Sequence, residues 1–216
     1  MGRTDLTAKI LDVCRRLNAK NMLASADGNV SARLADGSIL ITPTGMNKAW
    51  ILEEDLAIVT LDNRIVEGKP SGERLMHLEI YRRCAEARAV VHAHPPTAIA
   101  WTIARPELKE LPCEAMSELI LAVGRVPIVP YARPGTPEMG TNLAAYLLKH
   151  RVMILARHGG LSWGEDLDEA YSGMERLEHS AVILKNAAEL GGITPLPAEE
   201  VRYLFSMREK FGNRTL

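Results

Sequence analysis

The chain has 216 residues, 47% of them apolar, and a formal net charge of -1. This suits one domain spanning 1–216, and a near-neutral charge offers no electrostatic footprint for nucleic acid or an anionic membrane. No apolar run reaches the roughly 18 residues of a membrane span, and "MGRTDLTAKI" lacks a signal-peptide core, so a soluble, cytoplasmic protein is expected.

Leu6, Ile10, Val13 and Leu17 recur at helical spacing after Thr4, which predicts an opening amphipathic helix capped by Thr4. "GNVSARLADGSILIT" and "DLAIVTLDNRIVEG" each read as two short strands, turning at Asp36-Gly37 and Asp62-Asn63. A helix is expected within "SGERLMHLEIYRRCAEA", a strand over 88–94 and a helix from Pro96 to Ala104. "GRVPIVPYARPGTPEMG" reads as a strand and a loop, followed by a helix over 137–149. Strands "VMILARH" and "GGLSWG", a long helix ending at Gly191-Gly192 and a helix over 198–211 complete the chain. Strands and helices interleave, but the early hairpins disfavour a purely parallel pattern. The expected class is α/β, a three-layer αβα domain with a mixed, largely antiparallel central sheet. Cys14, Cys84 and Cys113 are far apart and lack CxxC spacing, which argues against a disulfide framework and a zinc finger.

"AVVHAHPP" places His92 and His94 one residue apart at the end of an apolar strand. Residues i and i+2 of a strand share a face, so the two imidazoles point the same way. A catalytic zinc takes three protein ligands, and His158, at the end of another apolar strand, is the best third. His150 and His179 lie in charged helical stretches, and His77 shares a helical face with Glu73 four residues earlier. "DGNVSAR", "TPTGMN" and "PSGE" are small, polar, glycine-bearing loops of the kind whose backbone N–H groups cradle anions.

GNVSxR, TPTG, SGE, HxH and a later RHG, in that order, make the chain resemble the class II aldolase/adducin-head family from about residue 5 to 190. The resemblance implies that His92, His94 and His158 hold one divalent ion per subunit, zinc foremost, with manganese or cobalt also compatible. It implies a substrate phosphate held by Gly28, Asn29, Thr44, Gly45, Ser71 and Gly72. Glu73 matches the aldolase acid/base; the related epimerases carry aspartate there. Glu118, with Glu114 as fallback, matches the position of a second catalytic group. A homotetramer with sites between subunits is implied as well. The expected activity is reversible cleavage of a ketose 1-phosphate, of the fuculose, deoxyribulose or methylthioribulose type, to dihydroxyacetone phosphate and a small aldehyde. Alternatives are a methylthioribulose-1-phosphate dehydratase, a sugar-acid phosphate decarboxylase, a ribulose-5-phosphate 4-epimerase-like enzyme and a non-catalytic adducin-like assembly domain. The C-terminal tyrosine of fuculose-phosphate aldolase has no match, since after "EKF" this chain reads "GNRTL".

Overall fold

The computed structural model describes residues 2–216. Helix α1 (Arg3–Ala19) buries Ile10, Val13, Cys14 and Leu17. Gly2, not Thr4, is its N-cap, and the Asp5 carboxylate accepts the Gly2 N–H at 3.2 Å, so Thr4 falls within the first turn. β1 (Asn29–Arg33) and β2 (Ile39–Ile41) form the first hairpin, β3 (Ala57–Val59) and β4 (Ile65–Glu67) the second. α2 (Arg74–Arg83) follows, then β5 (Ala89–Ala93), α3 (Pro96–Ala104), the short α4 (Ser117–Ala122) and β6 (Ile128–Val129). The last part holds α5 (Pro137–Leu143), β7 (Val152–Leu155), β8 (Gly159–Gly164), α6 (Leu167–Glu189) and α7 (Ala198–Glu209).

The helix expected over 137–149 ends at Leu143, and hydrogen-bonded turns carry the chain on to His150. Gly140, Thr141 and Asn142 all have low helix propensity, which accounts for the early stop.

The eight strands form one sheet in the order β4-β3-β2-β1-β5-β8-β7-β6. Every pairing is antiparallel except β6 with β7, so the sheet is mixed and largely antiparallel, as expected. Alternation divides its side chains between two apolar layers. Val30, Ala32, Ala89, Val91 and Ala93 pack on one face with α1, α3 and α6. Val90, Ile39, Ile41, Leu161 and Trp163 pack on the other with α2 and α5. Period two therefore turns Asn29, Ser31 and His92 towards α2. Because β5 lies between β1 and β8, its histidine end meets the end of the β7–β8 hairpin in mid-sheet.

Candidate active site

His92 is the penultimate residue of β5, and His94 follows the strand, its N–H donating to Met22 O at 2.8 Å. His158 sits in the turn between β7 and β8, three residues beyond the end of β7. There Arg157 takes a φ of 59°, and the His158 N–H returns to Leu155 O at 3.0 Å. The three rings meet with centroids 4.9–5.2 Å apart, and one nitrogen from each lies within 4.8 Å of the others. Gly159 makes this approach possible. A Cβ there would stand 2.7 Å from His92 Cε1 and 2.6 Å from Ala93 O.

Hydrogen bonding sets which nitrogens are free. His92 Nδ1 donates to Gly160 O at 2.8 Å, and His94 Nδ1 lies 3.2 Å from Asp27 Oδ2. His92 Nε2 and His94 Nε2 are left buried with no hydrogen-bond partner among the described residues. Buried polar atoms are ordinarily paired, and two orphaned imidazole nitrogens aimed at a third histidine are what a divalent cation would satisfy. The triad therefore fits a metal, and its all-nitrogen donor set suits zinc and its first-row neighbours. Burial and the neighbouring His92 ring push His94 down to about 4, so it stands neutral at pH 7.

Glu73 caps α2 and reaches this cluster. Its Oε1 is 3.2 Å from His158 Nε2, and its Oε2 is 3.4 Å from His92 Nε2 and 2.9 Å from Asn29 Nδ2. Burial raises the Glu73 pKa, but the adjoining His158 and His92 rings outweigh it and hold the carboxyl well below the usual carboxylate range. Those histidine nitrogens cannot both face Glu73 and hold a cation. Occupation of the triad removes the two contacts that make the carboxyl so acidic.

The three anion-type loops converge beside Glu73. Pro43 bridges Pro70, Thr44 N–H donates to Lys69 O at 3.1 Å and Ser71 N–H to Thr42 O at 3.0 Å, so "TPTG" and "PSGE" run side by side. Buried Lys48 ties on the third loop, its Nζ donating to Ala26 O and Met46 O at 2.7 Å. Gly28 (φ 69°) is packed so that a Cβ would stand 2.8 Å from His92 O, whereas Gly45 (φ 70°) and Gly72 face open space. Thr44 and Gly45 are exposed, Ser71 is buried, and Ser71 Oγ accepts the Glu73 N–H at 3.2 Å.

Glu118 stands apart. It is exposed in the first turn of α4, and its carboxylate accepts the Ser117 hydroxyl at 2.8 Å, which holds its pKa down. Glu114 instead accepts from Arg125 at 3.1 Å. Neither carboxylate contacts the triad among the described residues. A cavity of about 650 Å³, lined by Trp101, Leu111, Cys113, Glu114 and Ile193, likewise includes no histidine of the triad.

Lys48 and Tyr81 are site neighbours outside the sequence motifs, whereas Asp27 and Ser31 lie within "DGNVSAR" without a role assigned there. The signal for Tyr81 was available, because Glu73, His77 and Tyr81 follow one another at helical spacing.

A family model, the Class II Aldolase and Adducin N-terminal domain, matches residues 8–184. The 3-oxo-tetronate 4-phosphate decarboxylase of Haemophilus influenzae is 30% identical over 209 residues, 93% of this chain and 93% of that protein. The L-fuculose phosphate aldolase of Methanococcus maripaludis is 34% identical over 178 residues, 82% of this chain and 94% of its own. Among solved structures, YgbL of Escherichia coli, named with aldolase, epimerase and decarboxylase as alternatives, superposes with a TM-score of 0.88. It is 29% identical, and the match covers 94% of this chain and 99% of that one.

Proposed function

The chain belongs to the class II aldolase and adducin N-terminal domain family, and from that premise we propose a metal-dependent carbon–carbon lyase acting on a ketose 1-phosphate. The observation that carries this reading is the Glu73 carboxylate, 3.2 and 3.4 Å from the Nε2 atoms of two histidines of a metal-competent triad. His92, His94 and His158 would hold zinc, which would supply a Lewis acid for negative charge developing on the substrate's carbonyl oxygen. The loops around Gly28-Asn29, Thr44-Gly45 and Ser71-Gly72 would take the phosphate through backbone N–H groups and the Ser71 hydroxyl.

In cleavage the C3–C4 bond breaks, its electron pair moves into the C2–C3 bond, and the C4 hydroxyl gives up its proton as the aldehyde leaves. Glu73 then delivers a proton to C3, forming dihydroxyacetone phosphate, and removes that proton in the reverse direction. Glu118 is the group proposed for the C4 hydroxyl. From its exposed position it would serve the site of a neighbouring subunit in a homotetramer.

A second reading, decarboxylation of a 3-oxo sugar-acid 4-phosphate, is favoured by one observation. Among the described residues Glu73 is the one carboxylate that faces the Nε2 atoms of the triad, Asp27 lying on His94 Nδ1 instead, and loss of CO2 needs one proton donor and no base for a hydroxyl. There the C1–C2 bond breaks, CO2 leaves, and Glu73 protonates C2. The 3-oxo-tetronate 4-phosphate decarboxylase match over 93% of the chain points the same way.

The test is to offer the zinc-loaded protein L-fuculose 1-phosphate, methylthioribulose 1-phosphate and 3-oxo-tetronate 4-phosphate. Dihydroxyacetone phosphate with an aldehyde supports the first reading, and dihydroxyacetone phosphate with CO2 supports the second. A dehydrated sugar phosphate, or a folded protein that takes up no metal, overturns both. Glu73→Gln should lower turnover by about 10²–10⁴-fold. Glu118→Gln should lower it only if the first reading holds.

A further inference from the structure

Four side chains join Glu73 to the interior through one unbroken chain of hydrogen bonds. Asn29 Nδ2 donates to Glu73 Oε2 at 2.9 Å, and Asn29 Oδ1 bonds His77 Nε2. His77 Nδ1 meets Ser31 Oγ at 2.7 Å, and Ser31 Oγ meets Tyr81 OH at 2.8 Å. His77 and Ser31 are fully buried, and Asn29 and Tyr81 are each 2% exposed. The arrangement follows from two periodicities. Glu73, His77 and Tyr81 lie four residues apart along one stripe of α2, while Asn29 and Ser31 lie two apart on the face of β1 below it.

The proton directions are determined by chemistry. An asparagine turned the other way would set its Oδ1 against the Glu73 carboxylate, so Nδ2 must face Glu73 and Oδ1 must accept. His77 then carries its proton on Nε2, and Nδ1 accepts from Ser31, whose oxygen accepts from Tyr81. Every member has one role and no donor or acceptor is duplicated. An amide in the middle does not readily pass a proton, so the chain orients Glu73 and does not shuttle protons to it.

We infer that His77, acting through Asn29 and backed by Ser31 and Tyr81, is a positioning residue that aims the Glu73 carboxylate at the reacting carbon. With Oε2 held by Asn29, Oε1 is left for proton transfer. The Asn29 side chain is thereby committed to Glu73. The inference rests on the lyase reading for the role of Glu73, but its geometry can be tested without substrate.

The first experiment needs only the zinc-loaded protein. Long-range ¹H–¹⁵N spectra of the histidine rings should show His77 as the neutral Nε2–H tautomer, unchanged from pH 6 to pH 8. An Nδ1–H tautomer or a protonated ring in this range overturns the relay. The second reads exchange of the C3 hydrogens of dihydroxyacetone phosphate in D2O, a step common to both lyase readings. His77→Leu should lower the maximal exchange rate by about 10–100-fold while KM and zinc content stay within about threefold of wild type. His77→Gln offers a donor and an acceptor in the same order and should recover most of the rate.

A metal-loaded His77→Leu that exchanges at the wild-type rate overturns the inference. So does a rise in KM alone, which would return Asn29 to substrate binding. If His77→Leu does not fold, Ser31→Ala and Tyr81→Phe carry the test, with losses that shrink outward along the chain; equal rates in both overturn it. Absence of exchange in the wild type counts against the lyase reading, and the tautomer measurement then decides the relay by itself.

Discussion

Arg151 and His158 stand at opposite ends of the β7 strand, and each is the focus of a buried polar network of a different kind. The Arg151 guanidinium donates to both Glu169 carboxylate oxygens at 2.9 and 3.1 Å, to Glu86 at 2.8 Å, to Glu165 at 3.2 Å and to Asn213 at 2.9 Å. It also packs over Trp163, and Glu169 accepts the backbone N–H of Thr215 at 2.8 Å. The guanidinium N–H groups are all used internally, and the effect is to clamp the C-terminal segment to the sheet. At the other end two imidazole nitrogens, His92 Nε2 and His94 Nε2, are buried without a hydrogen-bond partner among the described residues. Burial and hydrogen bonding are shared by both ends. At the histidine end the unspent bonding capacity converges on one point, where a ligand fits.

The largest expected effect falls on the closed end. Arg151→Ala should cost about 3–5 kcal/mol of stability by leaving the buried Glu169 carboxylate without its cation. Denaturant unfolding measures this, and zinc affinity of the folded fraction should be unchanged. A parallel loss of zinc binding would mean that the two ends are not independent.

Next is Gly159→Ala, whose added methyl would have to displace Ala93 O or the His92 ring. Overpacking of this kind costs about 1–3 kcal/mol. Unlike Arg151→Ala, it should weaken zinc binding as well, as chelator competition would show. Unaltered affinity would indicate that the triad tolerates a displaced His92.

Acid should act mainly on the open end. Burial lowers His77 from 6.5 to about 3, and burial lowers His94 to about 4. The unfolded chain therefore binds more protons than the folded one between these values and 6.5, so stability falls as pH drops through that window. Glu73, held low, adds a loss of the same sign below its ordinary pKa of 4.5. Melting temperatures of the metal-free protein should decline from pH 7 to pH 4.5, and a flat profile would contradict the neutral, buried state of these histidines.

The smallest effect is expected at Asp27, which is half-exposed. Asp27→Asn should weaken zinc binding by about tenfold, because its carboxylate favours the His94 tautomer that frees Nε2. No change would mean that solvent fixes that tautomer equally well.

Much of this architecture was readable from residue spacing. The apolar rhythm of Ile10, Val13 and Leu17 located α1, and Val90-Val91 located the strand that delivers His92. Ordered glycine-bearing motifs with three histidines pointed to the metal and phosphate chemistry. Short elements were less visible. α4 has six residues and β6 only two, too few for a period to emerge, and their form depends on packing against α7 and β7. The expectation for Glu118 rests on the family resemblance alone, and the fold puts it on the surface of α4, away from the triad of its own chain.

The sequence by itself determined which residues alternate, which recur every turn and which carry metal-binding or acid–base chemistry, because those properties are local to the backbone period. Only the tertiary structure decided which periods meet. Placing β1 beneath α2 sets Asn29 and Ser31 against Glu73, His77 and Tyr81, and placing β8 beside β5 brings His158 to His92 and His94. Contacts between residues 44 to 68 positions apart depend on sheet order and helix packing, which no local pattern encodes.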